Sequence, residues 1–350
     1  MLAFRFTMRF SQPALQQKQQ HDINRQRRRN LQVSVVGASG GIGQALSLLL
    51  KMNPLIETLV LHDVANTKGV AADLSHICTS PTVKSYTGEK ELKKALKGSD
   101  IVVVPAGRPR RPGMDRKDLL ESNANVAIAV AMAVSSVCPS AFLAIITNPV
   151  NTIVPIVRDI LKSQDSYDPK RLFGITTLDV VRAKTFLGQS LCIDPQRINI
   201  PVIGGHSGIT ILPLFSQSNP PFKGDESEKK ELIERVQEGG SEVVKAKAGS
   251  GSATLSMAFA GAQFVGSLIK GIKNEEDKPI VECAFVESNV TPLEFFASPV
   301  ILGPSGIKDI PCLPELDQLE SQMLQGLLPV LLKDIEQGVK YANNFITSGC

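Results

Sequence analysis

The sequence predicts an α/β chain in which a parallel sheet, wrapped by helices on both faces, precedes a second unit of mixed α+β character. Three observations predict this. From Leu31 to about Ile175, short β-branched runs alternate with helical patterns, which is how successive parallel strands and their crossover helices read. The first run ends in a glycine turn, "VVGASGGIGQALSLLLK" over 35–51, that opens directly into an apolar helix. The chain has 350 residues, more than one hydrophobic core usually organises, so two domains are expected.

In order, the expected strands of the first unit are "LQVSVVG", "TLVLHDV", "TVKSYT", "DIVVVPAG", "AFLAIITN" and "RLFGIT". Helical spacing lies between them near 43–52, 69–76, 89–97, 118–137 and 152–162. This is the doubly wound, Rossmann-type dinucleotide fold in outline. After Thr176 the alternation stops: a helix over "TLDVVRAKTFLGQSL" leads into "RINIPVIGGHSGITILPL", and a charged helix is expected over 225–248. Strands "VECAFVES" and "ASPVILG" and a last helix over 313–346 close the chain. The expected division is a basic leader over 1–30, a nucleotide-binding domain over 31–176 and a substrate domain over 177–350, with no internal repeat.

With 43% hydrophobic and 21% charged residues the composition is that of a globular protein. The formal charge of +4 is unevenly spread: residues 1–30 carry seven cations against Asp22 alone, leaving −2 for the remainder. A nucleic-acid surface on the folded part is therefore not expected. The acid-poor leader resembles an organelle transit peptide, although Ser11 is its only serine. Mitochondrial targeting is expected, with a glycosome or peroxisome or the cytoplasm as alternatives, and the terminal "SGC" is not a peroxisomal signal. The six cysteines show neither paired nor metal-finger spacing, so no disulfide framework and no metal centre are expected. Residues 122–157 lack charge, but prolines and asparagines divide them into buried elements, so no membrane insertion is expected.

The glycine spacing Gly37, Gly40, Gly43 leaves backbone amides and a helix N-terminus facing a pyrophosphate. Asp63 follows Gly43 by 20 residues at the end of the second strand, where a carboxylate accepts from ribose hydroxyls and repels a 2′-phosphate. NAD is thus the expected cofactor, against the plainer reading of Asp63 as a cap of the next helix. Short-chain dehydrogenases share such a loop but need Tyr-x-x-x-Lys on a helix. The one match, Tyr86 to Lys90, ends a strand and contains Gly88, so that reading lacks its catalytic pair. Of four histidines, His206 within "GGHSG" is the candidate general base, because imidazole ionises near working pH and the glycines permit close approach.

The motifs "PAGRPRRPGMDRKDLLESNA", "ITNPVNT", "LFGITTLDVVRAKTF", "VIGGHSGITILPL" and "KAGSGSATLSMAFAGAQF" occur in this order. Together they strongly resemble the malate dehydrogenases of the mitochondrial and bacterial type, within the lactate/malate dehydrogenase superfamily. The resemblance implies reversible NAD-dependent oxidation of L-malate to oxaloacetate, with His206 as base and Asp179 as its acidic partner. It implies Arg182 on the carboxylate beside the reacting carbon, Arg110 on the distal carboxylate, Arg116 arriving as its loop closes, and Asn148 beside nicotinamide or substrate. It also adds Ile42, Asn123, Thr147 and Met257 to the cofactor contacts, and implies a homodimer or homotetramer. Asp179 and Arg182 are three residues apart on an expected helix and so share a face.

Lactate dehydrogenase shares the base and its partner but carries glutamine where this chain has Arg110, which favours a dicarboxylate here. A related 2-hydroxyacid dehydrogenase of altered range, or a catalytically silent NAD-binding relative, are the alternatives. Arg108 stands where that family usually has a small apolar residue, which bears on substrate range.

Overall fold

The computed structural model describes residues 31–108, 116–248, 251–274 and 277–348, with side chains of 116–119 excluded. One continuous sheet of 11 strands organises them. The first six strands are β1 (Leu31–Val36), β2 (Ile56–Asp63), β3 (Thr82–Thr87), β4 (Ile101–Val104), β5 (Phe142–Ile145) and β6 (Leu172–Ile175). They lie parallel in the order β3-β2-β1-β4-β5-β6, the doubly wound arrangement the alternation predicts. The central strands β4, β5 and β6 are buried at every position, which explains why they read as unbroken apolar runs.

Helices α1 (Gly41–Lys51), α2 (Thr67–Ser75), α3 (Leu92–Leu96), α4 (Arg116–Val137) and α5 (Val150–Ser163) connect these strands. Two apolar cores result, one on each face of the sheet. The expected break at 122–157 into helix, strand and helix is what forms, as α4, β5 and α5. Among the described residues two helices are long and apolar enough to cross a membrane by length and composition, over Leu120–Val137 and Leu255–Lys273, and each has half of that window buried within the protein.

Beyond β6 come α6 (Thr177–Leu191), β7 (Val202–Gly204), β8 (Ile211–Pro213), α7 (Glu226–Ala246), α8 (Leu255–Lys273), β9 (Ile280–Glu287), β10 (Phe295–Gly303), β11 (Gly306–Asp309) and α9 (Gln318–Thr347). The strands continue the same sheet, antiparallel: β9 pairs with β6, β10 with β9, and β7 with β10. Several features depart from the sequence reading, the short strand β11 that pairs with β10 among them. Helix α8 was not expected, although Met257, Gly261, Phe264, Val265, Leu268 and Ile269 recur at helical spacing and are buried; Ala258, Ala260 and Gly261 let it pack closely on α1. The last helix starts at Gln318 instead of 313: Pro311 and Pro314 precede it, and Asp317 caps it by accepting from the Glu320 N–H at 2.9 Å. Asp225 caps α7 in the same way and closes a capping box with Glu228.

Candidate active site

The carboxyl ends of β1, β2, β4 and β5 meet at the glycine turn. Gly37 has φ +96°, donates its N–H to the His62 carbonyl at 2.8 Å, and would bring a Cβ within 2.6 Å of the Ala106 backbone. Only glycine satisfies both conditions. A Cβ on Gly43 would run into the Gly37 carbonyl oxygen and lie 2.7 Å from the Ala38 Cα. Gly40, the residue before α1, has room for a Cβ within the protein, so any need for glycine there comes from a ligand. Gly41 faces Thr254, which sets the start of α8, with buried Met257, beside the start of α1, with half-buried Ile42.

Asp63 ends β2 with its carboxylate turned back to this turn: one oxygen accepts from the Ser39 N–H at 2.9 Å and the other from its neighbour Val64 at 2.7 Å. The residue before α2 is Asn66, in the left-handed region with φ +62°, so Asp63 does not cap that helix. The N–H groups of Gly37, Ala38, Ser39 and Gly40 all donate within the protein, so the expectation that the loop amides face a pyrophosphate narrows to the N-terminus of α1, which with the neighbouring Asp63 carboxylate fits the pyrophosphate and ribose of a dinucleotide.

Asn123 and Thr147, both expected near the cofactor, turn their polar atoms into the protein. Asn123 accepts from the Arg108 N–H and donates to the Asn148 carbonyl, each at 2.8 Å. Thr147 donates its hydroxyl to the Ala106 carbonyl at 2.6 Å or that of Val104 at 3.0 Å. They join the loop after β4 to the loop after β5. Asn148 is exposed at the end of β5. Arg110 lies outside the described residues, as does the side chain of Arg116, the first residue of α4.

His206 follows β7. Its Nδ1 lies 2.6 Å from Oδ2 of Asp179, a fully buried carboxylate in the first turn of α6. A carboxylate only accepts, so the imidazole proton sits on Nδ1 and the Nε2 lone pair is presented on the other side of the ring. Arg182, one turn along α6, brings its guanidinium to 3.8 Å from the other Asp179 oxygen. Burial pulls the Arg182 guanidinium below its ordinary pKa, while Asp179 and Glu242 push it back up. Its stem runs against Gly239 of α7, where a Cβ would come within 2.8 Å of the Arg182 Cδ. His62 is a core residue of β2, bonded through Nε2 to the Gly88 carbonyl at 3.1 Å, and burial lowers its pKa. His76 ends α2.

The sheet relates these parts. Gly174 of β6 pairs with Phe285, Phe285 with Ala297, and Ala297 with Gly204, one register line running to the strand that carries His206. A second link was missed by sequence reasoning. Asn151, the second asparagine of "TNPVN", is buried and accepts the His206 backbone N–H at 2.8 Å.

Two sequence signatures match in tandem: lactate/malate dehydrogenase, NAD binding domain, over residues 31–174, and lactate/malate dehydrogenase, alpha/beta C-terminal domain, over 176–342. The chain belongs to the lactate/malate dehydrogenase family. Within it, the chain is 50% identical over 311 residues to the mitochondrial malate dehydrogenase of Citrullus lanatus, covering 89% of each chain. It is equally 50% identical to the glyoxysomal malate dehydrogenase of Oryza sativa subsp. japonica, covering 89% of this chain and 87% of that one. Among solved structures, the malate dehydrogenase of Cryptosporidium parvum superposes with a TM-score of 0.76 at 26% identity, over 88% of this chain and 99% of that one. The glycine turn and Asp63 fall within the family's NAD-binding half, and His206, Asp179 and Arg182 within its C-terminal half.

Proposed function

We propose that this chain is an NAD-dependent malate dehydrogenase, interconverting L-malate and oxaloacetate. The observation that carries the proposal is the row His206, Asp179, Arg182: a base with its free nitrogen exposed to a site, a buried anion behind it, and a cation one helical turn away. Gly37, Gly40, Gly43 and Asp63 would hold NAD, which would supply the hydride acceptor or donor for C2. The rest is work for this chain's side chains. His206 takes the hydroxyl proton on Nε2 as malate is oxidised and returns it to the carbonyl oxygen in the reverse direction. The imidazolium so formed is balanced by Asp179, which also fixes its tautomer. Arg182 grips the carboxylate beside the reacting carbon, and its lowered pKa reflects a poorly hydrated cation that gains from an anionic partner. Arg110 holds the distal carboxylate, Arg116 polarises the carbonyl, and Asn148 orients substrate or nicotinamide.

The Asp63 carboxylate favours NAD over NADP. The nucleotide domain spans 31–176 and the substrate domain 177–350. The chain forms a homodimer through the exposed apolar residues Leu48 and Met52 of α1 and Leu255 and Phe259 of α8, two helices that pack side by side. The basic leader directs it to the mitochondrion, in keeping with its composition and with the mitochondrial relative from Citrullus lanatus.

The test is NADH oxidation against a panel of 2-oxo acids. Oxaloacetate is expected to exceed pyruvate in kcat/KM, Arg110→Gln to erode that preference without changing NADH affinity, and His206→Asn to cut turnover by roughly three orders of magnitude. A preference for pyruvate reverses the substrate assignment. Binding of NADH with no turnover of any 2-oxo acid marks a silent relative.

A further inference from the structure

The base loop is held from behind by the last helix of the chain. Asn151 uses three hydrogen bonds of its carboxamide. Its oxygen accepts the His206 N–H at 2.8 Å, and its nitrogen donates to Oδ2 of Asp334 on α9 at 2.9 Å and to the Thr210 hydroxyl at 3.3 Å. The Asp334 carboxylate has no proton to give, so it dictates which end of the amide faces it. A flipped Asn151 would set oxygen against carboxylate and N–H against N–H.

The loop itself is tight. Gly205 donates to the Thr210 carbonyl at 2.8 Å, Thr210 donates its hydroxyl to the Ser207 carbonyl at 2.7 Å, and a Cβ on Gly205 would come within 2.8 Å of both Asn151 amide atoms. Helix α9 backs it along one face: Leu327 lies against Gly204, and a turn past Asp334, Gly338 sits on the Thr152 carbonyl, where any side chain would collide. The helix is therefore locked in rotation and register at the height of Asp334.

We propose that Asp334 and Asn151 form a positioning pair that fixes the His206 backbone, and with it the reach of the imidazole toward substrate, from the C-terminal helix. Neither residue touches substrate; both act through His206. This rests on the reading of His206 as the base. Asp179 orients the ring from its Nδ1 side, and the pair orients the main chain from which the ring springs, so two carboxylates on two helices triangulate one side chain.

The test combines kinetics with a probe of the histidine that does not depend on turnover. Asn151→Ala removes the acceptor and is expected to lower kcat for oxaloacetate reduction by about 10- to 100-fold, the scale on which small misplacements act, while leaving NADH affinity unchanged. Asp334→Ala should follow it. Asp334→Asn, which keeps an oxygen for the Asn151 amide, should recover most of the loss. The double variant Asn151→Ala with Asp334→Ala should be no slower than Asn151→Ala alone, because the carboxylate acts only through the amide.

In parallel, proton NMR at fixed pH reads the His206 Cε1–H, identified by its disappearance in His206→Asn. With four histidines in the chain the region is sparse. The His206 signal should move in both alanine variants and return in Asp334→Asn, while those of His62 and His76 stay in place. If Asn151→Ala does not fold, the half-buried Asp334 carries the same comparison. An unmoved His206 signal with kcat near that of the parent overturns the proposal, and so does additive loss in the double variant. If His206→Asn keeps its turnover, the base assignment fails by itself, and the NMR arm still decides whether the pair positions that residue.

Discussion

Replacing Asp179 by asparagine tests the charge proposed to stand behind His206 as base. The side chain is fully buried, and its Oδ2 lies 2.6 Å from the His206 Nδ1, so the substitution changes charge and hydrogen-bond polarity with almost no change in shape. With charge centres about 4 Å apart and an effective dielectric of about 20, the imidazolium and carboxylate attract by about 4 kcal/mol. At about 1.4 kcal/mol per decade, that is roughly a thousandfold in the step that generates the imidazolium. The amide adds a second fault. If its nitrogen faces Nδ1, the ring must carry its proton on Nε2 and has no lone pair for substrate, a tautomer error that takes the total toward about ten-thousandfold. The assay is steady-state malate oxidation and oxaloacetate reduction, with NADH affinity followed by fluorescence. The cofactor constant should hold, because Asp179 belongs to α6 and not to the glycine turn. A variant that keeps kcat within tenfold of the parent would refute the assignment of Asp179 as counter-ion, and a parallel loss of NADH affinity would point to collapse of the site instead.

Other expectations follow from the same geometry. Gly43→Ala forces its Cβ onto the Gly37 carbonyl and the Ala38 backbone, a strain of about 1–3 kcal/mol that should weaken NADH binding about tenfold or more in a fluorescence titration. Arg182→Lys loses the planar fork, so oxaloacetate kcat/KM should fall by about ten- to a hundredfold, roughly 1.5–3 kcal/mol of charged hydrogen bonding, with cofactor affinity retained. Asp100 is held above the ordinary carboxylate range by burial, only partly offset by the Gln32 N–H. A carboxyl raised on folding costs nothing below its unfolded pKa and its full penalty above its folded one. Asp100→Asn, which keeps an acceptor, should therefore raise Tm near pH 7 and lose that gain as pH falls through the carboxylate range; an equal gain at both ends would assign the effect to packing.

How far the chain could be read from its sequence follows the range of the interactions. The first unit was legible because its signals are local: β-branched runs, helical spacing and a glycine turn each specify their own segment. Asp179 and Arg182 could be paired because a helix puts residues three apart on one face. Helix α8 carries the same kind of local signal, Met257, Phe264, Val265, Leu268 and Ile269 at helical spacing, and sequence reading passed over it. Nothing in the residues of β9 says that it will lie beside β6, since a pairing between strands a hundred residues apart is decided by the whole core. The same holds for Asn151. The motif that contains it was legible, but its bond to the His206 backbone and its tie to Asp334, 183 residues away, exist only once three elements are packed. For Asn123 and Thr147, sequence could mark the neighbourhood but not the direction in which each side chain turns.

The antiparallel joint between β6 and β9 has a mechanical consequence. Many two-lobed enzymes work like a jaw, bending at a linker to grip what they bind. Here the two lobes share one hydrogen-bonded plate, and a jaw motion would have to tear its rungs. Amide exchange should accordingly be slow on both sides of that joint and unaffected by cofactor, and any motion that accompanies binding is left to the loops at the carboxyl ends of the strands.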